Sequence, residues 1–279
     1  MQSLVALARL SALVLTVIVL FPAALTSRLV VVAGARAAGM RGAVAVQRLW
    51  ARVTLALMGV RLELDGAPPR GCFVVVANHL SYLDILVLAT LFPGRFVALA
   101  EMADWPLLGW LSRSVGTIFI DRTRARDVVR VGEEMSRTFA AGVSVILFPE
   151  GRASDGSAIG ELRTPLLAGS ARGEAPCLPV TLHYETRGEP WAPAWTICWW
   201  GGMGFWRHIW RFLRSRGAVA TVRWAPAPVV GDERKALALR VHAELVSRFR
   251  PIRRDPPPPD FPWPELLGDP TVEQPVKGP

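Results

Sequence analysis

The stretch FVVVANHLSYLD, residues 73–84, decides the fold class because it joins two apolar segments through a short polar turn. Residues 73–77 are all apolar and rich in valine, which predicts a strand with both faces covered. Residues 82–91 predict a helix that begins directly after the turn. Strands covered on both faces occur mainly in parallel sheets flanked by helices, so this stretch predicts an α/β domain.

The same alternation continues along the chain as far as residue 250. Short apolar runs predict further strands, at 95–99, 117–120, 144–148, 178–182, 196–200 and 219–224. Periodic segments predict helices at 125–140 and 235–250. We therefore predict one α/β domain over residues 63–250, with a mostly buried sheet flanked by helices. The proline-rich residues 251–279 are predicted to form a disordered or extended C-terminal tail.

The N-terminal residues 1–62 are predicted to be membrane-anchoring helices. Residues 4–25 are almost wholly apolar, and about 20 such residues cross a bilayer core. A cleaved signal peptide is the alternative, although the apolar run is long for one. Residues 30–60 predict a second helix. Its arginines share one face, so it is an interfacial amphipathic helix, a hydrophobic helix packed beside the first, or a core helix of the main domain.

The charge distribution predicts an anionic partner. The chain has a formal net charge of +9, and no Asp or Glu precedes Glu63 although seven arginines do. Basic residues beside an apolar segment favour anionic headgroups and place the following domain in the cytoplasm, so we expect the inner membrane, with that domain on its cytoplasmic side. No zinc-finger, basic-heptad or RNP-like pattern supports nucleic-acid binding. The three cysteines have neither disulfide-framework nor metal-site spacing.

His79 and Asp84 are the candidate catalytic residues. Sites in α/β sheets open at strand ends, where His79 is predicted to lie. An imidazole can take a proton from an alcohol when a carboxylate fixes its tautomer, and Asp84 in the first helical turn can fold back to do so. A structural role is the alternative, because Ser81-x-x-Asp84 has the spacing of a capping box, with Ser81 as the helix cap.

Residues 116–122, GTIFIDR, predict a second strand that ends in charged side chains. Arg122 could bind a phosphate or carboxylate through its planar fork of donors. A solvated Asp–Arg turn is the alternative.

Residues 148–156, FPEGRASDG, follow another predicted strand. Gly151 permits a tight turn that would present Glu150 and Arg152 at the strand end. Residues 177–182, CLPVTL, place a proline in an apolar strand, which marks a strand start or edge.

These four windows, in this order, resemble the glycerolipid acyltransferase family typified by 1-acyl-sn-glycerol-3-phosphate acyltransferase, over roughly residues 64–250. The resemblance implies a membrane-bound enzyme without cofactor or metal that moves a fatty acyl group from acyl-ACP or acyl-CoA to a lysolipid hydroxyl, converting 1-acylglycerol-3-phosphate to phosphatidic acid. It implies that His79 is the general base and Asp84 its orienting partner. The residues it implies for acceptor binding are Asn78, Arg122, Glu150 and Gly151.

The third window departs from the family's usual FPEG-Thr-Arg, because Ala153 stands where the arginine is expected. Arg152 and Arg163 are the candidate substitutes. The FPEG-x-x-Ser-Asp-Gly form and the tryptophan- and arginine-rich residues 199–216 resemble the lyso-ornithine lipid acyltransferase branch, so that lipid is the alternative acceptor. Two other functions stay open, a thioesterase that uses water and a non-enzymatic protein that binds anionic membranes.

Overall fold

The computed structural model describes residues 2–121, 123–163, 165–167, 170, 175–189, 191–231 and 233–255. Its helices are α1 (Gln2–Val32), α2 (Arg36–Leu57), α3 (Leu83–Leu91), α4 (Leu108–Ser114), α5 (Ala125–Ala140), α6 (Pro193–Thr196), α7 (Phe205–Arg214) and α8 (Arg234–Arg248). Its strands are β1 (Arg61–Leu64), β2 (Val74–Ala77), β3 (Gly94–Leu99), β4 (Ile118–Ile120), β5 (Ser144–Leu147), β6 (Cys177–Thr186) and β7 (Ala218–Trp224). Short 3₁₀ turns occupy Ala100–Asp104 and Pro165–Leu167.

The strands form one sheet in the order β1-β7-β6-β2-β5-β3-β4, in which only the β6–β7 pair is antiparallel. All four residues of β2 are buried, and Val75 pairs with Ile146 of β5 on one side and Leu178 of β6 on the other. The predicted α/β class, with a largely buried sheet flanked by helices, is confirmed. Because β2, β5, β3 and β4 are parallel, the turns that follow them lie along the same edge of the sheet.

One predicted strand is wrong. Residues 196–200 do not join the sheet; α6 begins at Pro193 and ends at Thr196, and the chain then turns so that the Trp199 amide donates to the Leu80 carbonyl oxygen at 2.8 Å. The apolar run fits a strand pattern, but a proline at the first helical turn starts a helix. Ile197 and Cys198 are buried in the core rather than paired in the sheet.

Helix α2 packs on the α/β domain. Arg41 donates to the Ala141 carbonyl oxygen at 3.1 Å, and Arg48 donates to that of Thr90 at 2.9 Å. Two of its arginines therefore bind carbonyl oxygens of the α/β domain, which supports the alternative of a helix that belongs to the main domain.

Helix α1 is the one described helix that is long and apolar enough to cross a membrane. Most of its side chains are exposed, and only Ala6 and Ala24 are buried. A run of exposed leucines, isoleucines and valines as long as α1 is uncommon on the surface of a water-soluble protein. The exposed side of α1 is therefore expected to contact a nonpolar partner.

Two arginines hold α1 along the domain. Arg9 donates to the carbonyl oxygens of Leu213 at 2.8 Å and Ser215 at 2.6 Å, at the C-terminal end of α7. Arg28 donates to the carbonyl oxygen of Arg113, in α4, at 2.6 Å. At about 1.5 Å per residue, these two anchor points are roughly 28 Å apart along the helix. The helix therefore lies against the domain rather than projecting from it.

The chain after α8 returns to the edge of the sheet where the parallel strands end. Ile252 is 3% exposed, and its amide donates to the Gly156 carbonyl oxygen at 2.8 Å. The start of the predicted tail, residues 251–255, is thus packed on the domain, whereas residues 256–279 lie outside the described part of the chain.

Candidate active site

His79 lies just after the end of β2, as predicted, and its ring is held on two sides. Nδ1 is 2.7 Å from Asp84 Oδ2, and the ring stacks on Phe148 with centroids 4.1 Å apart. The side chain is 17% exposed, and Nε2 makes no hydrogen bond to any described residue. Nε2 is therefore the nitrogen left for a substrate.

Asp84 is completely buried and collects four donors. Besides His79, its Oδ2 accepts from the amides of Leu80 at 2.6 Å and Ser81 at 2.9 Å, and its Oδ1 accepts from the hydroxyl of Tyr184 at 2.7 Å. One carboxylate thus accepts the amides that precede α3 and also orients the imidazole. The capping and catalytic interpretations of this motif are therefore compatible.

The predicted helix cap at Ser81 is wrong. Its hydroxyl is buried and has no hydrogen-bond partner in the described part of the chain, and α3 begins at Leu83 after an N-cap at Tyr82. The reason is that Asp84 already takes the two amides nearest the turn.

Tyr184 is a site residue that the sequence analysis missed. It is fully buried in β6, and burial, followed by the charge of Asp84, raises its pKa well above the usual value. The hydroxyl therefore stays protonated and keeps donating to Asp84. One signal was available: in a strand, alternate residues share a face, which puts Tyr184 beside Leu182 and Val180 with a hydroxyl facing the core.

Glu150 joins the loop after β5 to the loop after β2. Its Oε1 accepts from the His79 amide at 3.1 Å, and its Oε2 accepts from the Gly160 amide at 2.9 Å. Burial raises the pKa of Glu150, and these two amides partly oppose the rise. Gly151 follows in a left-handed conformation (φ +76°) that glycine adopts at little cost. The structure thus brings Glu150 to His79 as a brace between two loops.

The other predicted acceptor ligands occupy different places. Asn78 is buried, and its side-chain amide both donates to the carbonyl oxygen and accepts from the amide of Leu182, at 3.1 and 2.8 Å. Arg152 and Arg163 are exposed on the loop after β5. Arg122 lies outside the described residues, and β4, which precedes it, is three strands from β2, or about 14 Å at the usual strand spacing. Their roles in binding stay predictions.

We call residues 79–84 the catalytic turn and residues 148–163 the third loop. The centre of the third loop contacts both the catalytic turn and the end of the described chain. The Ser154 amide donates to the His79 carbonyl oxygen at 2.9 Å. Asp155 Oδ2 is 2.7 Å from Arg254 Nη1, and Ile252 fills the space above Gly156. A segment more than 90 residues away in sequence therefore supports the loop beside His79.

An aromatic cluster adjoins the His79–Asp84 pair on the side of Tyr82. Tyr82 makes edge contacts with Phe205 and His208, and its hydroxyl is 3.1 Å from His208 Nδ1. His208 is fully buried, and burial, helped by the charge of Arg211, lowers its pKa to about 4. It is therefore neutral near pH 7 and belongs to the support of α7.

The geometry of His79 and Asp84 suits proton transfer from an alcohol. With Nδ1 held by a buried carboxylate, Nε2 can accept a proton from a bound hydroxyl, and the carboxylate stabilises the imidazolium that forms. The activated oxygen can then attack a carbonyl carbon. The arrangement has the parts of a catalytic triad in which a substrate hydroxyl takes the place of serine.

Comparisons with known proteins agree with this chemistry. Residues 61–183 match the family model described as Acyltransferase. The chain is 32% identical to a lyso-ornithine lipid O-acyltransferase of Pseudomonas aeruginosa over 192 residues, 68% of this chain and 73% of that protein. It is 34% identical to the corresponding protein of Rhodobacter capsulatus over 203 residues, 70% of this chain and 72% of that one.

Two further similarities concern the other acceptor class. The chain is 34% identical to a 1-acyl-sn-glycerol-3-phosphate acyltransferase of Neisseria meningitidis serogroup B over 135 residues, 48% of this chain and 53% of that protein. Its fold is similar to the crystal structure of the 1-acyl-sn-glycerophosphate (LPA) acyltransferase PlsC from Thermotoga maritima. The TM-score is 0.55 at 19% identity, covering 83% of this chain and 93% of that one.

Proposed function

This chain belongs to the acyltransferase family, and we propose that it moves a fatty acyl group from a thioester to the hydroxyl of a lysolipid at a membrane surface. The observation that carries the proposal is the 2.7 Å contact between His79 Nδ1 and the buried carboxylate of Asp84. This contact leaves Nε2 as the base at the edge of the sheet where the parallel strands end.

The reaction follows from that geometry. Nε2 of His79 takes the proton of the acceptor hydroxyl as its oxygen attacks the thioester carbonyl carbon. Asp84 stabilises the imidazolium during this step. The C–S bond then breaks, an oxygen ester remains on the lipid, and the departing thiolate receives the proton. We propose acyl-ACP or acyl-CoA as the donor and no cofactor, because the step involves no change of oxidation state.

Lysophosphatidate is the first candidate acceptor, with Arg122, Arg152 and Arg163 as candidate ligands of its phosphate. Glu150 and Gly151 shape the loop that would carry the headgroup. Lyso-ornithine lipid is the second candidate. It is favoured by Ala153 in the third loop and by similarity to two lyso-ornithine lipid acyltransferases over 68% and 70% of the chain.

The membrane contact is supported by α1. Its exposed apolar side chains need a nonpolar cover, and the helix is tied to α4 and α7 at points roughly 28 Å apart, close to the thickness of a hydrocarbon core. If α1 crossed the bilayer, α4 and α7 would have to enter the hydrocarbon core with it. We therefore propose that α1 lies in the membrane–water interface, with the α/β domain beside it. The net charge of +9 favours an anionic membrane surface, and we propose the cytoplasmic side of the inner membrane.

The proposal is tested with membranes that contain the full chain and a labelled acyl thioester. Each lysolipid is offered separately, and the products are separated into acylated lipid and free fatty acid. We expect labelled diacyl product. Free fatty acid without acylated lipid would instead identify a thioesterase.

A His79→Ala variant tests the role of the base. We expect its turnover to fall by about 10²–10⁴-fold while membrane association stays as in the parent chain. A variant with unchanged turnover would exclude His79 as the general base.

A further inference from the structure

We propose that the ion pair between Asp155 and Arg254 recognises the acceptor headgroup and selects a lysolipid that carries both a carboxylate and an ammonium group. This inference rests on the proposed acyl transfer, and between its two candidate acceptors it selects lyso-ornithine lipid over lysophosphatidate. It names two specificity-determining residues, one from the third loop and one from the chain after α8.

The position of the pair is the first argument. Ser154, the residue before Asp155, donates its amide to the His79 carbonyl oxygen at 2.9 Å. Arg254 stacks near the ring of Trp200, and the residue before Trp200 donates its amide to the Leu80 carbonyl oxygen at 2.8 Å. Asp155 is therefore one residue from a backbone contact with His79, and Arg254 lies against Trp200, whose preceding residue contacts the backbone of Leu80.

The construction of the pair is the second argument. Arg254 Nη1 is 2.7 Å from Asp155 Oδ2, and the guanidinium carbon lies 5.4 Å from the Trp195 ring centroid and 5.3 Å from that of Trp200. Asp155 is fixed in turn, because its Oδ1 accepts from the amide and hydroxyl of Ser157 at 3.0 and 2.8 Å. The Arg254 side chain is 48% exposed, so a rigidly held guanidinium still presents donors to a ligand.

The end of the described chain is anchored where it delivers this arginine. The Ile252 amide donates to the Gly156 carbonyl oxygen at 2.8 Å, and the indole of Trp195 donates to the Asp255 carbonyl oxygen at 2.8 Å. Fixed points on both sides of Arg254 hold it over the third loop.

The charge balance is the third argument. Residues 150–163 contain three acidic and two basic side chains, which gives a formal charge of −1: Glu150, Asp155, Glu161, Arg152 and Arg163. Arg254 brings this charge to zero. A phosphate monoester carries about −1.5 to −2 charges at neutral pH, so a neutral loop suits it poorly.

An ornithine joined through its α-amino group carries one carboxylate and one ammonium, and its net charge is zero. Arg254 can bind the carboxylate through its fork of donors. The ammonium can lie against the carboxylate of Asp155 and the electron-rich tryptophan rings. The pair and the headgroup are then complementary in charge, whereas the arginine expected at 153 would have added a positive charge suited to phosphate.

The test compares Arg254→Gln with Arg253→Gln in the full-length protein. Arg253 is a matched control because its side chain is also about half exposed and pairs with Asp255 at 3.1 Å. The acceptors are lyso-ornithine lipid and lysophosphatidate, with acyl-CoA as the labelled donor. We expect Arg254→Gln to raise the KM for lyso-ornithine lipid by about tenfold or more, with little change in kcat or in the KM of acyl-CoA. Arg253→Gln should match the parent chain.

Two further variants guard against a purely structural effect. Arg254→Lys keeps the charge and should recover part of the loss, and Ala153→Arg should increase the use of lysophosphatidate relative to lyso-ornithine lipid. Equal losses on both acceptors, a fall in kcat alone, or an unchanged ratio in Arg254→Gln would overturn this inference. If the parent chain acylates neither lysolipid, the proposed function itself fails.

Discussion

The catalytic turn and the third loop are built in opposite ways. His79 and Asp84 are five residues apart, and three of the four donors to Asp84 come from residues 79–81. The third loop is instead held by Ile252 and Arg254, about 100 residues further along the chain. The chemistry is encoded locally, whereas the recognition surface depends on the packing of distant segments. Conservative changes should therefore have separable effects in the two regions.

The largest effect is expected at the local region, for Asp84→Asn. An amide can donate where the carboxylate accepts, so it would favour the wrong tautomer of His79 and lose several hydrogen bonds. Turnover should fall by about 10²–10⁴-fold in the thioester assay.

Asp127→Asn is the control for this change. Asp127 also lies in the first turn of a helix that follows a strand, and its Oδ2 accepts the Asp121 amide at 2.6 Å. It adjoins no catalytic histidine, so turnover should stay near that of the parent chain. Equal losses in the two variants would mean that Asp84 acts only on the helix.

The next effect, at Tyr184→Phe, tests how far the local dyad depends on the sheet. The change removes one donor from a buried carboxylate, which costs about 1.5–3 kcal/mol of the free energy of unfolding. Denaturant titration measures this loss.

Tyr82→Phe is the matched control, because it removes the hydroxyl of the chain's other tyrosine, which contacts His208 instead. Its loss of stability should be smaller, about 0.5–1.5 kcal/mol, because this contact joins two neutral groups. Equal losses in the two variants would show that the Asp84 carboxylate does not depend on the Tyr184 hydroxyl.

A smaller effect tests the non-local region through two glycines with the same backbone angle. Gly156 has φ +75° and Gly142 has φ +74°, so alanine strains the backbone equally at both. A methyl at Gly156 would also overlap Ile252, whereas Gly142 has open space around it. Gly156→Ala should lower the free energy of unfolding by about 1–3 kcal/mol more than Gly142→Ala, measured by denaturant titration. Equal losses would mean that residue 252 does not pack on the loop.

The smallest effect concerns the buried His208 beside the catalytic turn. Its pKa is lowered to about 4 by burial, from the usual value near 6.5, so the unfolded chain binds the proton more tightly. Stability is then complete above about pH 6.5 and is lost as pH falls toward 4. Between pH 7 and pH 6 the parent chain should lose about 0.7 kcal/mol more than a His208→Gln variant. Parallel stability curves would contradict the buried neutral imidazole.

Much of the architecture could be predicted because the signals were short-range. The helix at 125–140 coincides with α5, and the strand that precedes His79 differs from β2 by one residue. The strand at 196–200 was wrong because an apolar pattern over five residues does not distinguish a strand from a buried turn. The fixed order of four strand-end motifs carried the acyltransferase assignment, which the comparisons confirm.

The site could be predicted only in part. His79 and Asp84 were found because they share one turn, whereas Tyr184 and Arg254 reach it from β6 and from the chain after α8. A pattern within a few residues does not predict a contact between segments that lie about 100 residues apart. Asn78 carried a ligand prediction because it adjoins His79, yet both ends of its amide pair with Leu182.

The sequence by itself determined the α/β class and the apolar N-terminal helix, and it placed His79 and Asp84 in one turn, because periodicity and spacing within a few residues set each of them. The tertiary structure alone decided that Tyr184 donates to Asp84, that α1 lies against the domain, and that Arg254 pairs with Asp155 of the third loop. Those contacts arise from the strand order and from the return of the chain after α8. Burial there depends on which distant surfaces meet, and a linear pattern does not record that.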